Sequence, residues 1–217
     1  LTAALSWETL GRWPYAVELY STAGFAFPAF PGAFFQPSPL DAFLTVALHS
    51  LLVIALVMAL LGWHSRLCLL LACTLMGYFA LLDAAGTLTK YVAISLHLLL
   101  LLSFARPGGA WSVDAWLLHR GNSPVPLAAA WPRRLMQLLV ASIYVGAAVT
   151  KIRLPDFATG DLLEFSLLDE AYGGRGWGLW LATNPRLLIL GSFAALVFEL
   201  LFPALIWVPR LRRWVLA

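Results

Sequence analysis

The chain has 217 residues, of which 61% are hydrophobic and only 12% charged, and a mean hydropathy of +0.83. Soluble domains carry roughly 25% charged residues, so that class is excluded. The composition reads as an all-α integral membrane protein: a polytopic helical bundle with about five spans and short interfacial helices, forming a single domain over 1–217.

Residues 1–15 lack the basic start and continuous apolar core of a signal peptide. The chain opens at Leu1, and the charge pattern described below leads us to expect an earlier span before it and an extension beyond residue 217. Residues 20–40 are rich in Phe, Pro and Gly. Proline removes helix donors, so this segment reads as irregular, with aromatics suited to a membrane interface. Candidate spans follow at 41–61, 67–85, 91–105, 135–150 and 187–208. A span needs about 20 apolar residues, so the third and fourth draw on their flanks at 87–90 and 131–134. Cys68 and Cys73 lie five apart on one helix and face apart, which argues against a disulfide or a metal pair.

The run 106–110 breaks the third span. Trp111 to His119 then reads as a short surface helix, with Ser112 as its N-cap and Asp114 in its first turn. Residues 157–171 set leucines and Phe165 among acids, the pattern of an interfacial segment. The glycine-rich stretch 173–178 lacks the strand and the Lys-Ser/Thr of a phosphate loop and reads as a turn.

Charge placement gives an orientation. Arg66, the arginines of 106–134 and those of the C-terminal tail fall on one side with a single acid, Asp114. The opposite side holds Arg12, Lys90, Lys151, Arg153, Arg175 and Arg186 among nine acids. The positive-inside rule then places loop 106–134 and the tail in the cytoplasm. The net charge of +3 is accounted for by this asymmetry, and no nucleic-acid partner is expected. Membrane lipid is the expected partner, with the arginines of the cytoplasmic face on anionic headgroups.

Polar residues inside such helices are the place to look for chemistry, because a charge at the bilayer centre is costly and rare. Glu199 sits mid-span, so it must be neutral, paired or facing a polar cavity. That demand is met equally by a structural hydrogen bond and by a proton-handling role. Pro203, four residues on, frees the Glu199 carbonyl. Lys151 ends a span seven residues after Tyr144, beyond the small residues Gly146, Ala147 and Ala148. It can snorkel to the outer headgroups, or it can act as a base beside apolar walls. His49 and His97 also lie mid-span and read as hydrogen-bonded bundle residues before they read as ligands. Asp83 and Lys90 bracket an outer turn, where an ion pair is the simplest arrangement. No helix carries a His-x-x-x-His or Glu-x-x-His pair, so no metal is expected.

Taken in order, these motifs form a series. Leu81-Leu82-Asp83 precedes a turn; Trp111-Ser112-Val113-Asp114 leads to Leu118-His119-Arg120, Asn122 and Val125-Pro126-Leu127; then come Gln137, Tyr144, Ala148, Lys151, Gly160 and Glu199. Over roughly 40–205 the series resembles the membrane domain of the vitamin K-dependent gamma-carboxylase and the wider HTTM family of bacterial membrane proteins. The resemblance implies that Lys151 is the base that deprotonates a reduced, vitamin K-like quinone, with Glu199 as the mid-helix acid. It further implies oxygen-driven epoxide formation, glutamate deprotonation and carbon dioxide addition as the family's chemistry, and a bacterial inner-membrane location. Tyr144, His97 and Lys90 would bind ligand. The carboxylase has histidine in the turn after Leu-Leu-Asp, where this chain has Lys90, and its substrate-binding extramembrane region has no counterpart within 1–217. The competing reading is a non-catalytic membrane scaffold or accessory subunit that meets a protein partner through its outer segment or bundle surface. Transport is a third reading, without the paired broken helices of many carriers.

Overall fold

A computed structural model describes residues 1–83, 90–105, 112–119, 129–169 and 176–208. These fall into two compact units, Leu1–Arg133 and Arg134–Ala217. Every regular element among them is a helix.

The first unit opens with α1 (Thr2–Arg12), a short 3-10 turn, and α2 (Ala16–Tyr20). After the irregular stretch come α3 (Ala42–Leu61), α4 (Ser65–Leu82), α5 (Lys90–Phe104) and α6 (Val113–His119). Asp41 caps α3, its carboxylate accepting from the Phe43 N–H at 3.2 Å. Leu52, Ala55 and Leu56 of α3 meet Leu69, Ala72, Leu75, Phe79 and Leu82 of α4, and Leu99 of α5 joins them. This three-and-four spacing makes one stripe on each helix, and Ala55 and Ala72 let the backbones approach. The other faces stay apolar and uncovered, as at Leu51, Ile54, Leu61 and Leu67. In lipid that is the expected solvent-facing surface.

The α3–α4 corner shows why these residues turn where they do. Gly62 adopts φ +75° and ends α3. The Trp63 N–H returns to the Met58 carbonyl at 3.0 Å, the pattern of a Schellman cap. A Cβ on Gly62 would lie 2.2 Å from that of Ser112, so α6 closes directly on the corner. Asp114 of α6 then accepts from the His64 N–H at 2.9 Å, the Ser65 N–H at 3.1 Å and the Ser65 hydroxyl at 3.1 Å. Burial raises the Asp114 carboxyl, but those donors outweigh it and hold its pKa below the ordinary value. Ser112 caps α6 as expected, accepting from the Ala115 N–H at 3.0 Å.

The second unit carries α7 (Trp131–Arg153), whose first turn precedes the unit boundary, then α8 (Pro155–Thr159), α9 (Asp161–Leu168), α10 (Trp177–Ala182) and α11 (Pro185–Leu205). Pro155 ends α7 and opens α8. Gly160, at φ +90°, turns α8 into α9 against α11: a Cβ there would sit 3.0 Å from that of Leu188. Pro203 lies inside α11, which continues to Leu205.

Among the described residues, four helices are long and apolar enough to cross a membrane: α3, α4, α7 and α11. The expected third span is α5, an apolar helix of 15 residues. At 1.5 Å per residue it reaches about 22 Å, short of a hydrocarbon core of about 30 Å. Its expected extension at 87–89, the turn at 173–175 and the C-terminal tail lie outside the described residues. The segment 20–40 is irregular, with Phe25 and Phe34 fully out in the surroundings. Its Gln36 amide ties it to the Leu81 carbonyl at 2.8 Å.

Residues 1–20 add Leu5, Ala16 and Tyr20 to the helix core of α3 and α4. The Trp13 indole also donates to the Ser50 hydroxyl at 2.9 Å. His49, expected as a hydrogen-bonded bundle residue, has ring contacts with Tyr20 and Phe79, and its Nδ1 meets no partner among the described residues.

Candidate functional site

Lys151 lies in the last turn of α7, where cations favour the helix dipole. Side chains on a helix lean toward its N-terminus, so from this end Lys151 hangs back along the span. It does not snorkel outward: its ammonium donates to Glu199 Oε1, across from α7 to α11. Glu199 is largely buried, its side chain 13% exposed. The second carboxylate oxygen, Oε2, is fully buried and has no hydrogen-bond partner among the described residues.

The walls are aromatic. The turn into α8 brings Phe157 beneath the lysine, with Nζ 5.1 Å from the ring centroid, a cation–π arrangement. Phe157 is itself buried. Two turns before Lys151 on α7, Tyr144 stacks on Phe202 at 4.2 Å and meets Phe198 edge-on at 5.9 Å. Ala148, between Tyr144 and Lys151, is fully buried. The inward face of α11 thus runs Leu188, Ser192, Glu199, Phe202. Ser192 is buried as well, with a hydroxyl that meets no partner among the described residues.

Chemically, the pair offers one nitrogen that takes up a proton as the neutral amine and one carboxylate that holds the resulting ammonium. The free Oε2 can accept a hydrogen bond from a ligand hydroxyl. Low local dielectric strengthens each of these interactions.

Of the expected site residues, Lys151, Glu199 and Tyr144 come together on α7 and α11. His97 belongs to the first unit, on α5, beside a groove of about 460 Å³ shared with Cys73, Thr74 and Tyr78. Its Nδ1 lies 2.6 Å from the Ala93 carbonyl, which can only accept, so that nitrogen carries the proton. His49 lines a different hollow. Lys90 opens α5, and the expected Asp83–Lys90 pair lies outside the described residues, since the lysine side chain is not among them. Sequence reasoning missed Phe157, Phe202 and Ser192. Phe202 was within reach, three residues from Glu199 and so on the same helix face; Phe157 was not, because only the turn at Pro155 brings it back.

Apolar helices of spanning length, packed through small residues and enclosing a buried acid–base pair, define a polytopic helical membrane protein. Residues 6–217 match the sequence profile of the HTTM domain, and the chain belongs to that family. No curated protein and no solved structure matches it.

Proposed function

We propose that this protein is a gamma-carboxylase-like membrane protein that binds a quinol or a similar lipid-soluble ligand, with Lys151 as its base. The observation that carries this reading is the Lys151–Glu199 pair, partly buried between two spans, with a buried carboxylate oxygen that meets no partner among the described residues. An ordinary structural ion pair is better replaced by apolar packing, so a buried one is poor evidence of stability alone. The family includes the vitamin K-dependent carboxylase, which gives the pair a chemical context.

When bound, the quinol supplies an acidic hydroxyl and, with oxygen, the oxidising power. The protein's own residues bind, position and shield. Lys151 takes a proton as the neutral amine, and Glu199 orients it and stabilises the ammonium. Phe157 supports the charged form from below. Tyr144, Phe198 and Phe202 exclude water, which would otherwise quench a base. The resemblance to bacterial HTTM proteins supports an inner-membrane location, and the arginine distribution supports loop 106–134 and the tail in the cytoplasm.

The test uses the full-length protein in lipid nanodiscs, supplied with a reduced naphthoquinone and oxygen. Mass spectrometry follows the epoxide, with Lys151→Ala as control. Lysine-dependent epoxide supports a quinol-oxidising enzyme. Folded protein that neither binds the quinol nor forms epoxide moves the assignment to a membrane scaffold or accessory subunit.

A further inference from the structure

The first unit holds a second buried polar site, independent of Lys151 and Glu199. His49 projects from α3 with its ring 5.8 Å from that of Tyr20 and 5.1 Å from that of Phe79. Only 2% of the residue is exposed. No group among the described residues bonds its Nδ1. A buried polar atom left in that condition bears its desolvation cost uncompensated, so a partner for it is expected.

The surroundings say what kind of partner. A cavity of about 40 Å³ is bounded by His49 and Tyr20 and by Glu8, Thr9 and Arg12 of α1. Room for a water begins at roughly 10–15 Å³. This cavity therefore takes one or two waters and excludes a ring or an acyl chain. Its α1 wall is polar. Arg12 donates to Glu8 at 2.7 Å, and both side chains remain partly exposed. The Thr9 hydroxyl donates to the Leu5 carbonyl at 2.6 Å and keeps its lone pairs for a further donor. Burial raises the Tyr20 phenol, despite the neighbouring Arg12, so it keeps its proton. Asp83, following α4, acts on Tyr20 from the other side. One end of the cavity is thus an imidazole nitrogen inside a span, and the other a half-exposed ion pair.

We propose that this cavity is a hydrated proton-exchange site, in which one or two waters bridge His49 Nδ1 to the Arg12–Glu8 pair. A proton arriving from water forms the Nδ1–H bond. The same nitrogen returns it to the water, which passes it outward by way of the Glu8 carboxylate, so no other bond changes. His49 thereby exchanges protons with the aqueous phase from within α3, while the apolar stripe of that helix stays dry.

The experiment is solid-state NMR of the full chain, labelled with ¹⁵N-histidine, in lipid nanodiscs, with His49→Phe assigning the resonance. Water magnetisation should reach His49 Nδ1, and its ring proton should exchange in D₂O while the amides of Leu52 and Leu56 remain protected. Thr9→Leu and Ala80→Val each fill the cavity and should slow that exchange by about tenfold or more. The Tyr20–Phe79 ring contact reports whether each variant is folded. Absence of water transfer to Nδ1 in the unmodified protein overturns the proposal, as does unchanged exchange in the folded filling variants. Where a variant does not fold, the unmodified protein decides alone.

Discussion

His49 and Glu199 are both buried polar residues on membrane-spanning helices, yet the two units satisfy them differently. In the first unit the buried group is an imidazole clasped by Tyr20 and Phe79, and the full charges of Arg12 and Glu8 stay at the partly exposed wall of a small cavity. In the second, full charges themselves are drawn in from the surface, a largely buried Glu199 and a partly buried Lys151, and they answer each other directly. The difference follows from desolvation. A neutral nitrogen without a protein partner costs about as much as one lost hydrogen bond, whereas an unpaired buried charge costs several kcal/mol. A span can therefore keep an imidazole next to a pocket of water, but it keeps a carboxylate only beside its cation.

The largest expected effect breaks the second arrangement. Lys151→Ala leaves Glu199 buried without its cation and should lower stability by about 3–5 kcal/mol, besides abolishing any lysine-dependent turnover. Replacing both members, as Lys151→Met with Glu199→Leu, should recover most of that stability and none of the turnover. Thermal unfolding in nanodiscs together with the epoxide assay separates the two outcomes. A double variant as unstable as the single one would mean that the pair is not the source of the loss.

A smaller effect comes from the corner that secures the first unit. Gly62→Ala places a Cβ 2.2 Å from that of Ser112 and forces φ +75° on a non-glycine residue. Strain of that kind costs about 1–3 kcal/mol, to be read as a lowered unfolding temperature. Asp114 supplies the next step down. Its folded pKa is depressed, so its contribution is present above the unfolded carboxylate value of roughly 3.9 and is lost as pH falls through the folded value. Asp114→Asn should remove about 1 kcal/mol near neutral pH, the usual worth of such a cap. The gap from the unmodified protein should close as the solution is acidified below pH of about 4. A gap that stays constant with pH would mean the carboxylate charge is not what holds His64 and Ser65.

Much of this was legible in the residues. Spans α3, α4, α7 and α11 follow from apolar runs, and the cap of α6 from Ser112. Lys151 and Glu199 stood out because charge inside such runs is rare. What could not be read was how they meet. The direction in which a lysine leans at the end of a helix is a general rule, but its partner, 48 residues away, depends on how α7 packs against α11. The hidden role of residues 1–20 has a similar cause. Leu5, Ala16 and Tyr20 look unremarkable until α1 and α2 lie on α3, because their spacing crosses the 3-10 turn at 13–15 and breaks the helical period. Aromatic partners far apart in sequence, such as Tyr20 with Phe79 and Lys151 with Phe157, carry no local periodic signal.

The first arrangement is tested at His49 and Arg12. If rings rather than hydrogen bonds hold His49 in place, His49→Phe keeps the contacts with Tyr20 and Phe79 and removes the nitrogen that needs a partner. Its stability should stay within about 1 kcal/mol of the unmodified protein, since it exchanges one packed ring for another of similar volume. His49→Ala should instead cost about 3 kcal/mol, as ring loss does in packed interiors. Arg12→Gln should cost only about 0.3–0.5 kcal/mol, because an i,i+4 pair near the surface is screened by solvent. Unfolding of the three variants side by side gives the order Ala, then Phe, then Gln. A His49→Phe loss as large as that of His49→Ala would show that the Nδ1 bond, not the aromatic clasp, dominates this site. The two units would then differ in charge alone and not in how they hold a buried polar group.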